Sequence, residues 1–327
     1  MSKRIFVTGG AGYVGAALIP RLLLEGWEVS VLDLMIYGED VLIPHPNLKI
    51  VKGDIRDKDL LQELIAHHQA VIHLACISND PSFELNPDLG KSINLDAFRP
   101  LVEVARQAGV QRFIYASSSS VYGIKNEPNV NEEMFLEPLT DYSRFKANCE
   151  VILSEYQSED FTPVTIRPAT VCGYSRRQRL DVVVNILTNL AYHKREISVF
   201  GGAQLRPNIH ISDMVESYIT VLGASKEQVS GQVFNVGYEN QPVLELAETV
   251  KEVVGDDVQL ITTATDDNRS YHISSEKIKK ELGFTATHGI REAVMDLVNA
   301  FSAGLLPNSL EDERYFNIKR MQSLNLQ

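Results

Sequence analysis

Short apolar runs alternate with amphipathic stretches along the first half of the chain. Residues 4–9 (RIFVTG), 28–33 (EVSVLD), 48–54 (LKIVKGD), 70–75 (AVIHLA), 112–117 (RFIYAS) and 163–168 (PVTIRP) read as strands. Most are apolar nearly throughout, as strands covered on both faces of a sheet are. Helical periodicity fills the gaps at 14–24, 58–67, 95–108 and 142–155. This β-α-β-α order predicts an α/β fold with a doubly wound parallel sheet. After Gly173 the pattern loosens. Helices are predicted at 180–193, 212–223, 243–255, 275–282 and 290–303, with short strands at 197–201, 232–237 and 258–263 and a polar tail behind them. The expected division is a first domain over 1–173 with a segment near 207–236 returning to it. A smaller C-terminal α/β domain takes 174–206 and 237–327.

Composition narrows the class. The chain has 327 residues, 44% of them hydrophobic and 23% charged, which suits a globular protein with a filled interior. A formal charge of −12 argues against nucleic acid or an anionic membrane as the main partner. Three scattered cysteines, Cys76, Cys149 and Cys172, fit free thiols in a reducing compartment. No apolar stretch is long enough to span a bilayer, so a cytoplasmic protein is expected. No His/Cys/Asp spacing suggests a metal site.

The first candidate chemistry is VTGGAGYVGAAL. Gly9, Gly12 and Gly15 follow the first strand at the mouth of a helix. In that setting the glycines permit a tight turn, a close approach of backbone N–H groups to a pyrophosphate, and close helix–sheet packing. Asp33 ends the second strand, where a carboxylate would bind a ribose. No cation follows it closely, which favours NAD over NADP. Asp54, ending the third strand, is a second carboxylate placed to meet an adenine. The Rossmann-type dinucleotide fold is the reading these positions support.

Two further segments carry reactive groups. YSRFK places Tyr142 and Lys146 four residues apart on one helix face. A lysine and a cationic nicotinamide would both favour phenolate, drawing a phenol pKa of about 10 toward neutrality. Tyr142 is therefore a candidate general base. Tyr315 and Lys319 repeat the spacing in the polar tail, far from any βαβ unit. The second segment is the serine run 117–120, directly behind a predicted strand. Strand alternation would turn Ser118 and Ser120 to one face and Ser117 and Ser119 to the other.

Taken together, the chain resembles the extended short-chain dehydrogenase/reductase family, the NAD-dependent nucleotide-sugar epimerases and dehydratases. The resemblance rests on TGGAGYVG, HLA (73–75), SIN (92–94), SSSSVYG, YSRFK, RPATVCG (167–173), RPNIHISD (206–213) and RSYHISSEKIKKELGF (269–284). It implies NAD contacts from Tyr13, Val14, Ile55, Leu74, Ala75, Asn94, Ser117 and Pro168, beside the glycines, Asp33, Asp54, Tyr142 and Lys146. It also implies a nucleotide-diphosphate sugar as substrate, met by Ser78, Asn79, Ser119, Ser120, Thr170, Arg179, Arg206 and Arg269. Thr170 stands where the family often has a phosphate-binding Asn. Arg176 and Arg177 share a segment with Arg179, and at least one of the three is expected to be solvated. Counting back from Val121 makes Ser118 the catalytic hydroxyl. Ser119 and Ser120 occupy the places where 4,6-dehydratases of the family carry Asp-Glu, which disfavours elimination. The resemblance thus implies C4 epimerisation through a transient keto sugar, or net oxidation or reduction at C4, in a homodimer; the alternative of another class is a non-catalytic NAD-binding sensor.

Overall fold

The structure, a computed structural model, describes residues 3–78, 80–265 and 270–324. The first half contributes β1 (Arg4–Thr8), β2 (Glu28–Asp33), β3 (Leu48–Lys52), β4 (Ala70–His73), β5 (Arg112–Ala116) and β6 (Thr162–Pro168). The second half contributes β7 (Thr170–Cys172), β8 (Glu196–Phe200), β9 (Leu205–His210), β10 (Val233–Val236), β11 (Glu239–Pro242) and β12 (Gln259–Thr263). Seven strands form one parallel sheet in the order β10-β6-β5-β4-β1-β2-β3. Strand order reverses between β1 and β4, and in such sheets the crevice at the carboxyl ends beside that reversal holds the ligand.

The uniform apolarity of these strands follows from burial on both faces. In β1, Ile5 and Val7 point into one core layer and Phe6 into the other. In β5, Ile114 joins the first layer while Phe113 and Tyr115 join the second. Each fully buried side chain of this kind contributes about 1.5–3 kcal/mol. Helices Gly15–Leu24 and Ile211–Gly223 pack together on one face. Helices Lys58–Ile65, Phe98–Gln107 and Asp141–Ser154 cover the other. The last of these starts at a capping box, in which Thr140 Oγ1 accepts the Ser143 N–H and Ser143 Oγ accepts the Thr140 N–H.

Beyond β6 the chain builds a second layer over the sheet's carboxyl edge. β9 pairs β7 in parallel and β11 in antiparallel fashion, while β8 pairs β12. Helices Val183–Lys194, Val243–Val254 and Ile290–Ser302 enclose a separate core around Val184, Leu246 and Val294. The sequence pattern does not show β9 or β11, because their Pro and Asn content is poor for strands.

Two local expectations change. The serine run does not continue β5: the strand ends at Ala116, and Ser118 caps a 3₁₀ turn over Ser119–Tyr122. The polar tail is ordered as a 3₁₀ turn, Glu313–Tyr315, and a helix, Asn317–Leu324. The Leu180 N–H donates to the Tyr315 carbonyl, which binds this tail to the segment after Gly173. Among the described residues, no helix is long and apolar enough to cross a membrane.

Candidate active site

The carboxyl ends of β1, β2, β4, β5 and β6 open into a cleft of about 540 Å³ roofed by the second layer. At the end of β1 the chain turns through Gly9, whose φ is +73°. A Cβ there would lie 2.5 Å from the Ala75 backbone N, and one at Gly15 would lie 2.4 Å from the Gly10 carbonyl oxygen. The turn is thus closed against the end of β4 and against its own helix, with room for backbone only. Gly9→Ala is expected to lower thermal stability and weaken dinucleotide binding together, read by a melting curve and an NAD titration on one preparation.

Asp33, at the end of β2, accepts the Ala11 N–H at 2.9 Å and the Met35 N–H at 2.8 Å. Burial pushes its carboxyl up, against the pull of those two donors and of the Arg177 charge. At the end of β4, His73 Nδ1 lies 2.6 Å from Thr8 Oγ1. Burial pushes this imidazole down to about 3, with the Lys146 charge acting the same way, so the ring is neutral.

The serine turn and the Tyr142–Lys146 pair meet where β5 ends. Ser118 and Ser120 hydroxyls lie 2.8 Å apart, and Ser118 Oγ also accepts the Ser120 N–H. Their shared side comes from this turn rather than from strand pleating. Ser117 turns inward, its hydroxyl donating to Glu150, and Ser119 is also buried. Tyr142 and Lys146 line the same wall from the helix Asp141–Ser154. Lys146 is 4% exposed and donates to the Ala116 carbonyl at 2.6 Å, with its Nζ 5.9 Å from the Tyr142 ring centre.

Most of the residues singled out in the sequence line this one cleft: the three glycines, Tyr13, Val14, Asp33, Ile55, Leu74, Ala75, Ser78, the four serines, Tyr142, Lys146, Pro168, Thr170, Arg179 and Arg206. Two are placed differently. Asp54 turns its carboxylate onto Arg56, which holds it below the usual range despite partial burial, while its neighbours Gly53 and Ile55 line the cleft. Asn94 spends its amide on Ile77, accepting the N–H at 2.8 Å and donating to the carbonyl at 2.9 Å. It lies in a single π turn, Ser92–Asp96, and fixes the loop after β4 from behind. Asn79 and Arg269 lie outside the described residues.

Other cleft residues carried no local signal. Tyr37, Asp181, Tyr271 and Asn317 reach it from loops and from the tail. Of the arginine trio, Arg176 is the exposed one, whereas Arg177 and Arg179 face the cleft. Arg179 Nε donates to Asp181 at 2.6 Å, and Asp181 also accepts the Asn317 N–H at 2.7 Å.

Residues 5–237 match the NAD dependent epimerase/dehydratase family. The chain belongs to that family. The UDP-glucose 4-epimerase GEPI48 of Cyamopsis tetragonoloba is 27% identical over 331 aligned residues, which cover 91% of this chain and 95% of that protein. A dTDP-glucose 4,6-dehydratase of Streptomyces niveus is also 27% identical, covering 90% and 91%. Among solved structures, MoeE5 in complex with UDP-glucuronic acid and NAD superposes with a TM-score of 0.82 at 25% identity, covering 92% of this chain and 99% of that one. As a member of the family the protein uses NAD. The residues present fit that cofactor, since the glycine turn leaves backbone donors beside a helix N-terminus and Asp33 stands at the ribose position.

Proposed function

We propose that this member of the family is a nucleotide-diphosphate-sugar epimerase acting at C4. The observation that carries this reading is the set of carboxylates in the cleft. Among the described lining residues these are Asp33 and Asp181. Asp33 is held by two backbone N–H groups, and Asp181 is engaged by Arg179 and by the Asn317 N–H. Expelling water from a sugar takes a general acid at the leaving hydroxyl and a base at the neighbouring carbon, work for which a free pair of carboxyl groups is suited. The serine turn, which faces the same wall as Tyr142, offers hydroxyls there instead.

Epimerisation needs less. Bound NAD supplies a reversible acceptor for hydrogen from the sugar carbon. Tyr142 takes the proton of the C4 hydroxyl and returns it once the keto sugar has presented its other face. Lys146 and the helix N-terminus beside Tyr142 favour its phenolate through their positive charge. Ser118, whose hydroxyl is steadied by Ser120, donates to the reacting oxygen. Arg179 and Arg206 meet the diphosphate, for which a guanidinium fork is suited. The helices Phe98–Gln107 and Asp141–Ser154 carry the homodimer contact in this reading, and the 61% exposed Val151 on the second suits such a face.

Incubation with UDP-glucose or dTDP-glucose is expected to give the C4 epimer at equilibrium. Neither NADH nor a dehydrated keto sugar should accumulate. A 6-deoxy-4-keto product would overturn the proposal, and stoichiometric NADH would make the protein a C4 dehydrogenase.

A further inference from the structure

Arg177 has no role in the scheme above, yet it lines the cleft and is 4% exposed. Its Nε is buried and finds no hydrogen-bond partner among the described residues. Desolvating an arginine N–H without a partner is costly, and a guanidinium kept in this state suits an anion that enters the site.

Its surroundings say which anion. The chain just before it is fastened to the glycine turn: Ser175 Oγ donates to the Tyr13 carbonyl at 2.8 Å, and the Tyr13 hydroxyl donates to the Gly173 carbonyl at 2.6 Å. On its other side the guanidinium lies 3.5 Å from the ring centre of Tyr37, in the loop after β2, and its charge acts on Asp33. Arg177 thus stands between the phosphate-binding turn and the ribose-binding carboxylate, on the adenosine half of the cofactor site. The nucleotide sugar is met elsewhere, at Arg179 and Arg206.

The arginine is held from the end of the chain. Its Nη2 donates to Asn317 Oδ1 at 2.5 Å, and Asn317 Nδ2 donates to Ser78 Oγ at 2.7 Å. Asn317 is 1% exposed and opens the last helix. Three residues on, Arg320 Nε donates to the Ile36 carbonyl at 2.5 Å. The tail therefore crosses from the second layer to the loops after β2 and β4.

We propose that Arg177 is a ligand of the NAD pyrophosphate, oriented by Asn317, so that the C-terminal helix is a latch that retains the cofactor. The glycine turn lines the site with backbone donors, and in this acidic chain Arg177 adds one full positive charge to them. This inference rests on the family's use of NAD and stands apart from the choice between epimerase and other C4 chemistry.

The test is the exchange of bound NAD for isotopically labelled NAD in the intact protein, alongside UDP and NADP titrations. Arg177→Met keeps the bulk and removes the charge. Loss of a charge-assisted bond predicts exchange about 10–100-fold faster, with UDP affinity unchanged. Asn317→Ala leaves the arginine in place and is expected to quicken exchange in the same direction. It also keeps the question open to refutation if the first variant fails to fold. Wild-type exchange rates in the folded variants would overturn the proposal. So would a loss confined to UDP, which would assign Arg177 to the substrate, or a loss confined to NADP, which would assign it to a 2′-phosphate.

Discussion

Replacing Tyr142 with Phe is expected to lower turnover by about 10²–10⁴-fold, the range for losing a positioned general acid–base. Binding of NAD and of UDP should stay within about twofold, because one hydroxyl at the reacting carbon adds little to ground-state affinity. The magnitude follows from how the phenol is placed. Thr140 caps the helix, so Tyr142 falls in its first turn, where the aligned backbone dipoles favour negative charge. Lys146 follows one turn later and is buried, anchored by the Ala116 carbonyl at the end of β5. The helix that carries Tyr142 is thus tied, through Lys146, to the end of the strand that leads into the serine turn. Lys146→Met removes that anchored charge and is expected to lower turnover of UDP-glucose through the same step. A Tyr142→Phe variant with near-normal conversion of UDP-glucose would remove Tyr142 from the chemistry.

What the sequence could show of this site depends on how far along the chain each contact is made. Gly9, Gly12 and Gly15 work through the turn they themselves form, and Tyr142 and Lys146 through one helix, so spacing alone brings them to notice. The parallel sheet was legible for a similar reason: two-faced burial writes itself into each strand separately. Arg177 and Asn317 are different. Each is an ordinary polar residue in its own neighbourhood, and only the folding of the last helix back across the cleft makes them partners. The Tyr315–Lys319 repeat drew attention to that tail for the wrong groups. Tyr315 is packed with Leu180 and Phe301, Lys319 lies over Phe316, and the residue between them that reaches the cleft is Asn317. Asp54 and Asn94 show the converse, because a polar residue at the right position can be satisfied by a close neighbour, Arg56 or Ile77.

The largest expected loss of stability lies just behind the serine turn. Glu150, on the helix of Tyr142, forms a buried pair with Arg167 of β6, with Nη2 donating at 2.6 Å and side-chain exposures of 8% for Glu150 and 6% for Arg167. Burial works against the Arg167 charge, but Glu150 and Tyr122 outweigh it and leave the guanidinium firmly protonated. The pair is extended on both sides. Ser117 donates to Glu150, Arg167 Nη1 donates to the Tyr122 hydroxyl at 2.7 Å, and that hydroxyl donates to Asn235 of β10 at 2.7 Å. Burial pushes the Tyr122 phenol up to about 12, so it remains a neutral link. Glu150→Leu would strand a guanidinium in the core, and breaking such a pair from one side costs about 3–5 kcal/mol. In a chain of 327 residues that is a fall of about 4–7 °C in Tm. Arg167→Met alone should cost a similar amount by stranding the carboxylate. Combining Glu150→Leu with Arg167→Met removes both charges at once, and it is expected to recover much of the loss while leaving Ser117 without its acceptor. Thermal melts of the two single variants and the double variant measure this directly. Strictly additive losses would mean that the pair contributes nothing as a pair.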